Sequence, residues 1–449
     1  MASPARPGAR THRATAIGHR AVLAIAVPMT LAHLSTPLVG LVNSTLIGRL
    51  GDAALMGGIA VGALAFDILF SFFSFLRMGT TGQTAQALGA RDGIATRAVL
   101  IRAVAAALAT GLVIVALAHP LQRLFVLAIG ASPAVNAAFA GYFAVRVLAA
   151  PLTLVNYSLL GWVVGLGRAG LGLLLQVVLN GVNIVAGLVL IVHFRLGIAG
   201  AAWSAVAAEA AAALAGLAIA ARLARGGRWP DFAALRDRAA LMATFAINRD
   251  IMIRSVALMV AFGFFTAESA RHGDVVLAAN SVLMNLTMVA AFFLDGLATA
   301  AEQLCGRALG ARARADFVAA LRLSIGWGFA LSVLLAAFFM AAGPAVIDLM
   351  TTAPAVRAAA RHFLVWAAAA PVAGVLAYEL DGVFIGATWS ATMRNMMLLS
   401  LGLYFVLWAL LVPPFGNHGL WAAMVGFLGA RGFTLAARLP ARLNASLPG

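Results

Sequence analysis

Six acidic side chains fall inside long apolar stretches of this sequence or within a turn of their ends: Asp67, Glu209, Asp295, Glu302, Glu379 and Asp381. A charge at the centre of a membrane-spanning helix costs roughly 2.5–3.5 kcal/mol on insertion scales, so each acid needs a partner, a proton or a bound cation. Asp381 is the foremost candidate, because it stands mid-run, is followed by Gly382, and has Pro371 ten residues upstream. A buried carboxylate can hold a proton, a sodium ion or an organic cation in different states, or it can be a structural acid paired with an arginine such as Arg254. Asp295 heads a second Asp-Gly pair, near the charged end of its run. Glu379 precedes Asp381 by two residues, so on a helix the two point about 200° apart and cannot share one cavity. Glu302, close to Arg307, is expected in an interfacial ion pair, and Glu209, among alanines, as a snorkelling or packed acid. Asp67 lies deep in the second apolar run and is a candidate for a binding charge in the first half of the chain.

The elements that carry these acids follow from composition. Of 449 residues, 63% are apolar and 10% charged, against about 25% charged in soluble domains, which excludes a water-soluble fold. Twelve runs are long enough to cross a bilayer as helices, near 21–47, 54–77, 95–118, 134–160, 168–192, 197–222, 240–266, 274–300, 316–342, 355–386, 393–413 and 417–439. They are continuous and Ala/Leu-rich without two-residue alternation, so strands are excluded. The first run is too long for a signal peptide and has no small-residue cleavage site after it. Proline breaks a helical hydrogen bond, so Pro28 and Pro37 are candidate bend points in the first span.

Charge sets the expected orientation. The formal charge is +16, and every basic residue is Arg. The arginines stand at the ends of apolar runs instead of forming a stripe, which fits membrane flanks and argues against nucleic acid. They are denser in alternate connections, which places both termini in the cytoplasm. The segment 223–239 is the most polar internal stretch and divides two similar halves. Leu88-Gly89-Ala90-Arg91 recurs at residues 309–312, Ala150-Pro151 at 370–371, and Gly161-x-x-x-Gly165 at 382–386, all displaced by 220 or 221 residues. The expected architecture is therefore all-α, two parallel six-helix bundles, with a basic tail (1–20), an N-lobe (21–222), a cytoplasmic linker (223–239), a C-lobe (240–439) and a tail (440–449). Parallel repeats around a midplane cavity are a plan used by secondary transporters. No phosphate-binding loop for ATP, no His/Cys metal spacing and no nucleophile–base pair is visible, so neither an enzyme nor a metal or cofactor is expected. Cys305 is the single cysteine, which excludes an intrachain disulfide.

Several strings carry a family resemblance. Thr36-Pro37-Leu38 followed by Gly48-Arg49-Leu50-Gly51-Asp52, the stretch from Phe75 to Arg91, that from Leu294 to Arg312 and that from Leu380 to Asn395 resemble motifs of the multidrug and toxic compound extrusion (MATE) family, in its DinF-like branch. The resemblance runs from about residue 21 to 440. It implies a two-lobed antiporter of the bacterial inner membrane that exports organic, typically cationic, compounds in exchange for H⁺ or Na⁺. Asp381 matches the acidic motif of the family's C-lobe. Two positions depart from the pattern: Asn43 stands where the family has Asp in the first helix, and Gly187 stands at the acidic place after Asn180 and Asn183. The three asparagines can still bind a ligand or Na⁺ through their carbonyl oxygens, or act as interhelical glue. The expected substrate/ion set is thus Asp381, Asp295, Asn43, Asn180, Asn183, Asp67 and Glu379, in a monomer whose partners are a small molecule and the lipid bilayer. The alternatives are a lipid-linked precursor flippase, against which an apparent scarcity of mid-span arginines argues, and a non-transporting membrane scaffold.

Overall fold

A computed structural model describes residues 17–48 and 53–448, apart from the side chains of residues 36–38, 41, 44, 47, 48 and 53. Most of the basic tail and the stretch from Arg49 to Asp52 therefore lie outside the described residues, as does the Pro37 side chain. The described residues contain helices and no strand. The spans are α1 (His19–Gly48), α2 (Ala53–Ser71) continued after a short break by α3 (Phe75–Gly89), and α4 (Gly93–Ala116). After α5 (Ala118–Ile129) come α6 (Pro133–Arg146) running into α7 (Ala150–Gly165), then α8 (Ala169–Gly187) and α9 (Gly197–Leu223). A short α10 (Phe232–Leu235) lies in the linker. The second half has α11 (Arg238–Arg271), α12 (Asp274–Gly310), α13 (Arg314–Met350), α14 (Pro354–Gly386) and α15 (Ser390–Ser446).

Among the described residues, ten segments are long and apolar enough to cross a membrane by length and composition. The 57-residue α15 breaks at Gly416 (φ 52°, ψ −128°) into two spans, and the 30-residue α1 adds another, giving twelve. α1 runs as one helix through Pro28. Several helices outrun the apolar stretches expected of them; α12 extends to Gly310 and α11 to Arg271. α5 was not expected. It buries no residue and exposes Leu124 and Leu127, the pattern of a helix lying along the membrane surface.

The repeated motifs have a common physical cause. In the N-lobe a methyl group on Gly161 of α7 would sit 2.4 Å from the Arg77 carbonyl oxygen of α3, and one on Gly165 would sit 2.7 Å from that of Thr81. In the C-lobe the matching glycines of α14, Gly382 and Gly386, would meet the carbonyls of Ala298 and Glu302 on α12 at 2.2 and 2.0 Å. Each of these four contacts has its counterpart 221 residues away. Only glycine lets two backbones approach this closely. The four helices also stop alike, with a left-handed residue at Arg91, Gly167, Arg312 or Thr388 and the next amide bonding back five residues, as Asp92 does to Ala87 and Ala313 to Ala308.

The lobes share their interior at one end only. Around the chain termini, α1 from Val22 to Met29 packs with Leu297–Ala308 of α12, Phe317 of α13 and Leu443 near the end of α15 in one apolar core. Gln86 of α3 donates to the Gly386 carbonyl at 2.8 Å and to Thr388 Oγ1 at 3.1 Å, and Gln303 of α12 donates to the Gly165 carbonyl at 3.3 Å, so each lobe latches onto the equivalent glycine of the other. Toward the opposite end the cores are separate, one built on Phe66, Phe139, Phe143 and Trp162, the other on Phe265, Phe339, Tyr404 and Trp421. The lobes thus enclose a cleft that is sealed at the termini end.

Candidate functional site

Asp381 on α14 is buried, and its carboxylate accepts hydrogen bonds from two guanidinium groups, Nη2 of Arg254 on α11 and Nη2 of Arg431 on α15, the latter at 2.7 Å. Arg431 also lies 5.8 Å from the Tyr378 ring and 5.7 Å from that of Phe427. One carboxylate between two arginines in the C-lobe interior is already neutralised, and removing it would strand two cations in a low-dielectric site. The geometry gives Asp381 the structural pairing with Arg254 and adds Arg431, both on Oδ2, and the excess positive charge of this cluster disfavours a transported cation.

Glu379 points to the other side of α14. It is completely buried, both carboxyl oxygens lack a hydrogen-bond partner, and Oε1 lies 2.9 Å from where a Cβ on Gly328 of α13 would be. The missing side chain of Gly328 is what gives the carboxyl room. Glu302 is buried against Gly386 with Oε1 unpartnered, and it makes no ion pair with Arg307 or any other described residue; the expected interfacial pair is absent because the lobe junction encloses this turn of α12. Asp295 differs from all of these. Its side chain is half-buried at the floor of the cleft, with no ion pair or side-chain hydrogen bond. Of the C-lobe acids considered, it is the one left open to a ligand.

In the N-lobe, Asn43 of α1 donates to Asn183 Oδ1 of α8 at 3.0 Å, and Asn180 donates to Ser35 Oγ at 2.6 Å. A Cβ on Gly187 would lie 3.5 Å from Asn43 Oδ1, an oxygen that is buried and unpartnered. The positions singled out in sequence therefore converge, with amides where carboxylates were expected. Immediately after Gly187, α8 widens into a π-helical turn, Leu188–His193. Such turns are over-represented at functional sites. A carbonyl oxygen without a donor can coordinate Na⁺, and an amide cannot carry a proton.

Asp67 lies on an exposed face of α2 with no ion pair. Its neighbours Phe66 and Phe70 flank Arg146 of α6, whose guanidinium carbon is 5.4 Å from each ring. Arg146 in turn pairs with Glu209 of α9 at 3.4 Å, and Asn156 donates to Glu209 Oε2 at 2.7 Å. Glu209 is thus the packed acid expected, and the rings of Phe66 and Phe70 surround a protein cation.

Of the arginines inside spans, only Arg254 was singled out from the sequence. Arg77, Arg146, Arg254 and Arg431 stand inside spans, so the premise that mid-span arginines are scarce is corrected. Counting basic residues within apolar runs, not only at their ends, would have found them.

The MatE family model matches residues 28–189 and 251–410, one stretch in each lobe. The chain belongs to this family of MATE transporters. It is similar to DNA damage-inducible protein F of Escherichia coli (strain K12), with 37% identity over 93% of the chain and 91% of that protein. It is also similar to the multidrug export protein MepA of Staphylococcus aureus (strain MRSA252), with 25% identity over 41% of each chain. Among solved structures, a MATE protein in a bent conformation superposes with a TM-score of 0.87 at 19% identity, covering 95% of this chain and 96% of that one. A MOP superfamily transporter from Pyrococcus furiosus, described as having reversed polarity in its binding pocket, gives 0.84 at 18% identity, covering 96% and 97%. These last two likenesses establish the fold. The chain is a multi-pass membrane transporter of the multidrug-efflux family, DinF-like in sequence.

Proposed function

We propose that the protein is a secondary antiporter of the bacterial inner membrane that exports organic cations in exchange for H⁺ or Na⁺ by alternating access. The observation that carries this reading is Asp295, an unpaired carboxylate at the floor of a cleft sealed at the termini end. With both termini in the cytoplasm, as the arginine bias favours, the cleft opens outward. A carboxylate that binds either the exported cation or the coupling ion gives the two a single site to compete for, and differential affinity in the two facings drives the exchange. Asn43, Asn180 and Asn183 supply neutral oxygens suited to Na⁺, and Asp67 places a further negative charge on the N-lobe. The monomer is complete for this purpose, because both lobes belong to one chain. The flippase alternative is weakened because Arg146, Arg254 and Arg431 are already engaged by Glu209 and Asp381.

The test uses purified protein in proteoliposomes carrying a fluorescent organic cation, with a proton gradient and a sodium gradient imposed separately. Flux driven by either gradient identifies the coupling ion, and Asp295→Asn abolishes it. Flux under neither gradient, with folded protein confirmed, contradicts the proposal.

A further inference from the structure

Of Arg77, Arg146, Arg254 and Arg431, three pair with carboxylates, Arg146 with Glu209 and both Arg254 and Arg431 with the single carboxylate of Asp381. Arg77 is the exception. Among the described residues it forms no ion pair and its guanidinium donates no hydrogen bond, while its Nη1 is enclosed with no partner at all. A guanidinium carries five donors and stays charged, and here the two on the enclosed Nη1 go unused.

Its backbone is fixed. The Arg77 carbonyl accepts from Thr81 Oγ1 at 2.9 Å and packs directly on Gly161, so the side chain projects from a rigid crossing of α3 and α7. Arg77 is half-buried at the lobe junction, at about the depth of Asp295, since α3 and α12 run on roughly 20 Å from each to the paired glycines at their ends. His33 of α1 lies within the field of Arg77, and its Nε2 is likewise buried and unpartnered. Asp295 and Glu302, both on the other lobe, are within electrostatic reach of Arg77 without forming a contact pair with it.

We infer that Arg77 is an anion subsite of the transport cleft, and that the exported molecule carries an acidic group (a carboxylate, sulfonate or phosphate) as well as the cation that Asp295 receives. The inference rests on the antiport reading of the same cleft and narrows its substrate class to molecules bearing both charges. The planar fork of a guanidinium suits such oxyanions, which it binds through two parallel hydrogen bonds. Because the two subsites sit on different lobes, one molecule that fills both bridges the junction that must rearrange during transport.

The probes are a rhodamine dye with a free carboxylate and the methyl ester of the same dye, titrated by fluorescence polarisation against the purified full-length protein. Arg77→Gln is expected to weaken the free acid by about tenfold or more while leaving the ester unchanged, which is the size of a lost hydrogen-bonded charge contact. Arg77→Lys, which keeps the charge and loses the fork, is expected to fall between the two for the acid only, and it serves in place of Arg77→Gln if that variant does not fold. Equal effects on acid and ester, or none on either, would overturn the inference. Proteoliposome flux separates it from the antiport proposal. Gradient-driven flux of the ester without any Arg77-dependent preference for the acid sinks the anion subsite alone. Arg77-dependent binding of the acid without gradient-driven flux of either dye supports the subsite and sinks the antiport.

Discussion

Gly89 and Gly310 occupy equivalent places in the two repeats, and each rests on a backbone carbonyl of the opposite lobe. A methyl group on Gly89 would lie 2.0 Å from the Arg307 oxygen, and one on Gly310 would lie 2.0 Å from the Gln86 oxygen. The contact is reciprocal, so α3 and α12 cross at the pseudo-two-fold axis of the molecule with no side chain between them. Its position beside the Gln86 and Gln303 latches makes it the tightest part of the sealed end.

Gly89→Ala and Gly310→Ala are therefore expected to hinder closure at the termini end without disturbing either lobe. Backbone cannot retreat as a flexible side chain can, so each costs about 1–3 kcal/mol of the closed arrangement. Spin labels placed on the two lobes at the termini end report this as a longer mean separation in each variant. Unchanged distances would show that the crossing does not control closure.

Asp381 is expected to behave as a structural acid. Asp381→Asn leaves Arg254 and Arg431 without their anion, and breaking a buried pair in this way costs about 3–5 kcal/mol. The melting temperature in detergent should fall well below that of the native protein. Replacing all three residues together by apolar side chains of similar volume should recover much of the loss, because an apolar core has no stranded charge. A full-height melting temperature for Asp381→Asn, combined with lost transport, would instead return this residue to the ion site.

The N-lobe asparagines give a prediction about coupling. Asn43→Asp introduces a titratable group 3.0 Å from Asn183 and against the space left by Gly187. Cation binding to this variant is expected to gain a pH-dependent step that the native N-lobe site, built of amides, does not contribute. Binding measured across a pH series for both proteins checks this, and identical curves would mean that the site takes no part in ion exchange.

Much of this was legible in the sequence. The spans, the two lobes and the repeated Gly-x-x-x-Gly and Leu-Gly-Ala-Arg strings could be read because lipid demands long apolar helices and close crossings demand glycine. The opposite directions of Glu379 and Asp381 followed from helix geometry alone. Which acid is free could not be read, since the partners of Asp381 lie 127 and 50 residues away in sequence and only packing brings them together. Asp295 and Asp381 both head an Asp-Gly pair, yet one faces the cleft and the other faces two arginines. Arg77 was hidden for a related reason, because its place at the end of an apolar run looked like a membrane flank until α2 and α3 joined into one span.

The most direct test of the account is competition at Asp295. Equilibrium binding of a fluorescent organic cation to purified protein would be measured over a series of pH values and of Na⁺ concentrations, for the native chain and for Asp295→Asn. The account predicts that H⁺ or Na⁺ weakens cation binding in the native chain, and that Asp295→Asn both weakens binding and removes the competition. Competition that persists undiminished in Asp295→Asn would contradict it.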